Sequence, residues 1–377
     1  MKARGVHLQY NFQPDGQRGA DVHNPLFDLL SALHQAGSIQ HAAKAMGASY
    51  RHVWGALKHW EEVLGEPLAS WVQGQPARLT PFAERLLWAE TRARARLTPH
   101  IEALRAELER VLVEALDGDQ QVLTLFASHD LALPALRDLA STEQRLHIDL
   151  KFAGSLDALR ALNEGRCLVA GFHVARLEGR ASVFAKALKP LLKPGRHKLI
   201  GCTRRTQGLM VAAGNPQQLA GLADLRRNGL RFARRQAGSA TRLLTEHLLA
   251  EAGMPPDALP GSLGPTEDSH LAVAALIASG GADAGIGIEA AAQAFGLGFV
   301  PLVEEDYFLV CLKEALDHPA VRKLRDALAG EGWQRQLAQM PGYRAGSRGE
   351  VLSLVKALPW WQFKTERAAS PLRTQAA

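Results

Sequence analysis

From residue 120 onward, short apolar runs alternate with stretches of helical spacing, and this alternation leaves few folds open. The runs cover residues 122–126, 146–152, 168–172, 209–212, 230–233, 284–288, 299–302 and 308–312. A strand buried on both faces reads as a continuous apolar run, and the helices between such strands cover the sheet. The pattern predicts a largely parallel α/β architecture. Four of the runs end in short polar or glycine-containing turns. Ser128-His129-Asp130 follows the first run and Gly154-Ser155 the second. His173 closes the third, and Arg235-Gln236-Ala237-Gly238-Ser239-Ala240-Thr241-Arg242 follows the fifth. In α/β proteins ligands sit at the carboxyl ends of strands, where helix N-termini offer free N–H groups and a positive dipole end.

These turns supply the candidate ligand contacts Ser128, His129, Ser155, His173, Arg235, Gly238, Ser239, Thr241 and Arg242. Hydroxyls and free N–H groups suit a small anion, and Gly238 lets backbone approach it closely. Each charged residue also has a structural reading. Arg235 and Arg242 are placed to pair with Glu267 or Asp268, and His173 and His270 to be buried and hydrogen-bonded. Glu267, Asp283 and Glu289 have no metal-ligand spacing, so no metal and no cofactor are expected. Ser128, His129 and Asp130 are adjacent, so their side chains diverge and form no catalytic triad. The sequence has no GxSxG, no phosphate-binding loop and no HExxH, and nothing in it carries an enzyme's chemistry.

The first 120 residues are organised differently. Residues 1–22 read as a tail. Between residues 25 and 64 apolar side chains recur at helical spacing, from Leu26, Leu29, Leu30 and Leu33 through Ile39, Ala42, Ala43 and Met46 to Val53, Leu57, Trp60 and Leu64. Ser38 and Ser49 are placed to cap the second and third of three helices, which a very short turn at Gly47 joins. Two short strands around a Gly/Pro turn at residues 73–76 follow. A long helical pattern then runs from 81 to 116, and Pro99 is expected to kink or restart it. This is the layout of a winged helix-turn-helix, in which the start of the second helix of the pair enters the major groove. The candidate DNA contacts are Ser38, Ser49, Tyr50, Arg51, His52, Lys58 and, at the wing, Arg78. The apolar residues Leu86, Leu87, Leu97, Ile101, Leu104, Leu108, Val111 and Leu112 are too many for an isolated solvated helix, which points to pairing with a second copy.

Composition bounds the partners. The chain has 377 residues, of which 47% are apolar and 22% charged, with a formal net charge of +6. The first 120 residues nevertheless carry 13 basic against 14 acidic side chains, so charge alone would not point to nucleic acid. No apolar run spans a bilayer, and the first residues lack a signal-peptide core, so no membrane partner is expected. Three scattered cysteines fit a reducing cytoplasm better than a disulfide framework.

Two phrases carry a family resemblance. Gly37-Ser38-Ile39, Ala42-Ala43-Lys44, Gly47, Ser49-Tyr50, Trp54, Leu57, Gly65-Glu66-Pro67-Leu68 and Leu79-Thr80-Pro81 resemble the N-terminal domain shared by LysR-type and molybdate-responsive regulators. Ser49-Tyr50 with Trp54 favours the molybdate branch. Phe82-Ala83 departs from that pattern, where a small residue and then glycine are usual. Residues 127–130, 153–162, 205–216, 234–244, 267–292, 299–310 and 341–351 resemble the periplasmic-binding-protein-like domain found fused to such regulators. Ala233 or Arg234 stands where that family usually has asparagine, and Ala240 where it has a second glycine.

The resemblance implies a tail (1–22), a winged helix-turn-helix (23–82), a linker and dimerisation helix (83–118) and a two-lobed sensor (119–377), its second lobe at about 205–310. It further implies a cytoplasmic transcription regulator that binds an operator in double-stranded DNA as a homodimer or homotetramer. Its effector would be a small anion such as molybdate, tungstate or formate. A carrier of molybdenum cofactor or substrate, whose helix-turn-helix only dimerises, remains the alternative.

Overall fold

The computed structural model describes residues 24–71, 76–117, 119–177, 183–227, 229–255 and 266–361. The tail at 1–22 and residues 73–75 of the turn between the two short strands lie outside them. Three helices open the described chain: α1 (Pro25–Ala36), α2 (Ile39–Ala45) and α3 (Tyr50–Leu64). Local chemistry sets each start. Asn24 accepts from the Leu26 N–H at 3.0 Å, Ser38 from that of His41 at 3.1 Å and Ser49 from that of His52 at 3.2 Å. Such caps are worth about 1 kcal/mol each. Gly47, at φ +63°, makes the tight turn between α2 and α3 that a side chain would strain. Leu30, Leu33, Ala42, Val53 and Leu57 bury together with Leu68, Leu79 and Leu87. The small Ala42 and Ala43 let α2 pack closely on its neighbours.

Strands β1 (Ala69–Ser70) and β2 (Arg78–Leu79) pair antiparallel, Ala69 opposite Leu79. Glu61 of α3 fixes this wing by accepting from the N–H groups of Leu68 (2.9 Å) and Ala69 (3.4 Å). Helix α4 (Pro81–Leu116) follows as one element of 36 residues. It runs through Pro99, so the restart expected there does not occur. Proline lacks the N–H that would bond four residues back, which frees the Ala95 carbonyl. Ser269, from far along the chain, donates its hydroxyl to that carbonyl at 3.3 Å.

The rest is an α/β body. Its first part runs β3 (Gln121–Ala127), α5 (Leu133–Gln144), β4 (Leu146–Phe152), α6 (Ser155–Asn163), β5 (Val169–Ala175), α7 (Val183–Leu188) and β6 (His197–Val211). Then come β7 (Phe232–Arg235), α8 (Ala240–Glu251), β8 (Thr266–Glu267), α9 (His270–Ala278), β9 (Ala284–Ile288), α10 (Glu289–Ala294) and β10 (Gly298–Leu312). It closes with α11 (Pro319–Ala329), α12 (Glu331–Ala338), β11 (Tyr343–Ala345), β12 (Val351–Ser353) and α13 (Leu354–Ala357).

The sheet order is β4-β3-β5-β10-β6-β9-β7-β8, with β11 and β12 on the free edge of β6. The outer pairs are parallel, as the sequence predicts, but β6 and β10 run antiparallel to their neighbours. Both are strands of 15 residues that pass from one lobe to the other. The first half of β6 pairs with β12 and its last residues, 207–211, with β9. The runs 299–302 and 308–312, expected as two strands, are one strand. Glu304-Glu305-Asp306 interrupts the apolar run without interrupting the backbone, because Glu305 is buried against a cation. Two α/β lobes joined by two crossing strands are thus the fold of this half.

Candidate functional site

Two regions carry chemistry, and the first is the exposed face of α3. Tyr50, Arg51 and His52 open this helix exposed to solvent, and Arg78 is exposed on β2. Arg51 and Arg78 form no ion pair among the described residues. Ser38 and Ser49 spend their side-chain oxygens as caps of α2 and α3. Lys58 is differently placed. Its ammonium donates to Glu61 Oε2 at 2.6 Å and lies 5.0 Å from the rings of both Trp54 and Trp71. Tyr50 stacks on Trp54, and Trp54 meets Trp71 at a tilt of 45° with ring centroids 4.9 Å apart. Lys58 therefore braces wing against helix, and its charge is already engaged. Wing residue Trp71 has no helical periodicity to mark it, which hid this brace from sequence reasoning.

The second region lies where the lobes meet. Gly154 precedes α6 and Gly238 precedes α8, and they approach so closely that a Cβ on Gly154 would lie 3.3 Å from the Gly238 carbonyl oxygen. Helices α6 and α8 thus begin near one another on opposite lobes. Ser155 is the first residue of α6, 3% exposed, and its hydroxyl has no hydrogen-bond partner among the described residues. Ser239 caps α8, accepting from the Arg242 N–H at 3.2 Å and donating to the Gln236 carbonyl at 3.0 Å. Gly238 sits at φ +80°, where glycine is the undemanding choice.

Behind these turns is a buried polar cluster on the crossing strands. Arg205 of β6 donates through Nε to Glu305 of β10 and through Nη1 to Asp130 Oδ2 at 2.6 Å. The Asp130 oxygen also accepts from the Tyr343 hydroxyl at 3.1 Å and faces His173 Nε2 at 3.3 Å. His173 Nδ1 lies 2.8 Å from the Ser128 hydroxyl. Gln207 donates to Glu305 Oε2 at 2.6 Å and to Thr241 at 3.3 Å, so its amide carbonyl points elsewhere and is buried without a partner among the described residues. Arg235 donates to the carbonyls of Glu267 (3.2 Å) and Asp268 (2.8 Å). His270 lies between the two guanidiniums, Nε2 at 3.3 Å from Arg205 and Nδ1 at 3.2 Å from Arg235.

Arg205 and Arg235 balance Asp130 and Glu305 in charge. Burial, then the two arginines, keeps the histidines neutral. His129 is pushed down to about 3 by burial and Arg235. His270 is driven well below its ordinary value by burial, Arg235 and Arg205, and His173 is lowered by burial and Arg205. Against its own burial, Arg205 and His173 hold Asp130 far below the usual carboxylate range. Burial and the repulsion of Arg205 bring Arg235 down to about 10, so it stays a cation at neutral pH.

Of the ligand candidates, the structure brings Ser128, His129, Ser155, His173, Arg235, Gly238, Ser239 and Thr241 to this one place. Arg242 pairs with Glu246 one turn further along α8 and reaches only the Arg235 carbonyl, at 3.4 Å. Arg235 meets the carbonyls of Glu267 and Asp268, where a carboxylate pair was expected. Sequence reasoning missed Asp130, Arg205, Gln207, Glu305 and Tyr343 as members. The signal that would have found them is the pairing of Arg205 with Glu305 across adjacent strands. Charges in the middle of two long strands read as loops unless each is matched with the other. Among the described residues no group of histidine, cysteine and carboxylate side chains is arranged to hold a metal ion. No described helix is long and apolar enough to cross a membrane.

Comparison with known proteins agrees with this division. Residues 136–329, more than half of the chain, match the PBP superfamily domain, and residues 26–84 match the bacterial regulatory helix-turn-helix protein family, lysR. YvgK of Bacillus subtilis (strain 168), an uncharacterized protein, is 32% identical over 241 residues, which cover 64% of this chain and 77% of YvgK. An uncharacterized protein from the ferredoxin 2Fe-2S gene 5' region of Clostridium pasteurianum is 36% identical over 86 residues, 22% of this chain and 76% of that protein. Among solved structures, a hydrogen-peroxide-bound mutant of Corynebacterium glutamicum OxyR covers 85% of this chain and 94% of its own, at 16% identity and a TM-score of 0.43.

Proposed function

We propose that this chain, which belongs to the PBP superfamily and joins that domain to a regulatory helix-turn-helix of the lysR family, senses a small anion between its lobes. It is a ligand-responsive transcription regulator of the LysR type, not an enzyme. One observation carries the finer reading. Two helix N-termini meet across the cleft, at Gly154-Ser155 and at Gly238-Ser239, with the buried Ser155 hydroxyl unpartnered among the described residues. Free N–H groups and hydroxyls from both lobes can replace an anion's hydration shell, and Arg235 adds a countercharge. Molybdate, tungstate and formate are the effectors to test first, with molybdoenzyme-related genes as targets.

On the DNA side, Tyr50, Arg51 and His52 face the major groove, with Arg78 on a phosphate. Two copies pair through the exposed side of α4 and read a near-palindromic operator. A DNA partner implies the cytoplasm. Calorimetry on the whole chain with sodium molybdate, tungstate and formate tests the effector. Ser155→Ala removes one donor to a charged ligand, for an expected loss of about 1.5–3 kcal/mol of binding. Equal affinity in wild type and Ser155→Ala would place the anion elsewhere. A footprint on genomic fragments tests the operator, and Arg51→Ala should cost about 1–3 kcal/mol of specific binding if Arg51 reads a base edge.

A further inference from the structure

Helix α4 is fastened to the second lobe at the residues that hold the cleft's cations. Arg96 of α4 makes two parallel hydrogen bonds to Glu267, Nε to Oε2 at 2.9 Å and Nη2 to Oε1 at 2.7 Å. The Glu267 side chain is 1% exposed, whereas that of Arg96 is 48% exposed. The backbone carbonyls of Glu267 and Asp268 accept from Arg235. Ser269, fully buried, donates to the Ala95 carbonyl that Pro99 leaves free. His270 then touches both Arg235 and Arg205. Four consecutive residues, 267–270, thus hold α4 on one side and the cleft's two arginines on the other. Ala95, Ala272 and Ala275 pack together beside them, and their small side chains let the two helices lie close.

Donors and acceptors are unevenly matched at this segment. A guanidinium only donates, and a neutral imidazole accepts at one nitrogen. His270 has a guanidinium at each nitrogen, so one of its two guanidinium contacts has no acceptor. An anion in the cleft supplies acceptors, and Arg235 and His270 then have a different best arrangement from the one in its absence. A differential contact of this kind is what a ligand needs in order to shift a conformational equilibrium. The other end is stiff. A two-pronged arginine–carboxylate pair with a buried carboxylate is costly to break, because the carboxylate would be left unpaired. Displacement of 267–270 therefore moves α4 with it instead of severing the joint.

We propose that residues 267–270 carry the state of the cleft to the linker helix, with the Arg96–Glu267 pair as the joint. This rests on the anion-sensing reading above. The test is amide hydrogen exchange on the full chain with and without saturating sodium molybdate. In wild type, molybdate should slow exchange at residues 233–245. It should change exchange at residues 92–105 by about tenfold, the factor given by one charge-assisted hydrogen bond of local stability. In Arg96→Met, checked for an unchanged far-ultraviolet circular dichroism spectrum because Glu267 loses its cation, the first response should persist and the second disappear. Glu267→Gln should behave likewise. A response at 92–105 that survives in both variants overturns the proposal. If molybdate, tungstate and formate leave 233–245 untouched, the anion reading has failed, and the joint is tested without ligand. Arg235→Lys should then alter exchange at 92–105 in the native background but not with Arg96→Met. The same change in both backgrounds overturns it.

Discussion

His270, His173 and His129 are neutral because they are buried out of water and sit beside guanidiniums, and that has a measurable consequence. Around them stand Asp130 after β3, Arg205 on β6, Arg235 on β7, Glu305 on β10 and Tyr343 on β11. Each histidine is held below its ordinary value in the folded chain. The unfolded chain therefore binds more protons as pH falls below about 6.5, and stability is lost in that direction. The loss is up to about 1.4 kcal/mol per pH unit for each fully buried histidine, until the folded value is reached. Melting temperature should thus drop steeply between pH 7 and pH 5, and His270→Gln should flatten the slope. An anion beside His270 would draw its proton affinity back up, so molybdate should protect more at pH 6 than at pH 8. A melting temperature level from pH 7 to pH 5 would show that the imidazoles are reachable by water. At the other end of the molecule, Lys58→Met should lose both the bond to Glu61 and the cation over the two tryptophans, loosening the wing and lowering DNA affinity for every sequence alike.

Helix α4 has two apolar sides, and the described residues cover only one of them. Ala95, Pro99 and Ala106 are buried against the sensor, and the His147 ring lies 3.0 Å from the Ala106 carbonyl. Leu97, Leu104 and Val111 recur every seven residues and remain 41%, 48% and 53% exposed. Ile101 and Leu108 fall between them, which completes the seam of a coiled coil. Leu104→Glu should therefore convert the full-length protein to a monomer in sedimentation at micromolar concentration without lowering its melting temperature as a monomer. A dimer that tolerates Leu104→Glu would put the interface on the sensor. The sequence made the existence of this helix and its excess of leucines plain, and the caps at Ser38 and Ser49 as well. It concealed what Pro99 does, because a proline reads as a break until the serine that takes the orphaned carbonyl is known. Strands β6 and β10 were half legible for a related reason. Hydrophobic periodicity reports faces that bury apolar groups, and the middles of these strands bury Arg205, Gln207 and Glu305 instead. The turns at 128–130, 154–155 and 235–241 were legible because strand ends and helix starts have local signatures. The cluster that joins them depends on pairing between strands a hundred residues apart.

The distribution of charge over the whole molecule sets how it meets DNA. Residues 121–377 hold 31 basic and 24 acidic side chains, while the DNA-reading half is slightly acidic. Arg51 and Arg78 are thus isolated cations on a nearly neutral surface. Each phosphate contact releases counterions and contributes about −0.9 to the slope of log K against log salt. With one Arg78 contact per protomer, a dimer bearing Arg78→Ala should lose about 2 from that slope, and should lose affinity for specific and unrelated DNA together. Arg51→Ala should leave the slope almost unchanged while narrowing the gap between operator and unrelated DNA, because base-edge contacts specify and phosphate contacts position. The basic sensor half adds a long-range field that attracts any polyanion at low salt and is screened within about 10 Å at 0.1 M. Unrelated DNA should accordingly bind the isolated sensor at low ionic strength and be released near physiological salt, while the operator stays bound to the full chain. Filter binding across a salt series decides this. If Arg78→Ala leaves the slope unaltered and Arg51→Ala lowers it, the two residues have exchanged roles, and the wing of this regulator reads bases while the start of α3 only grips the backbone.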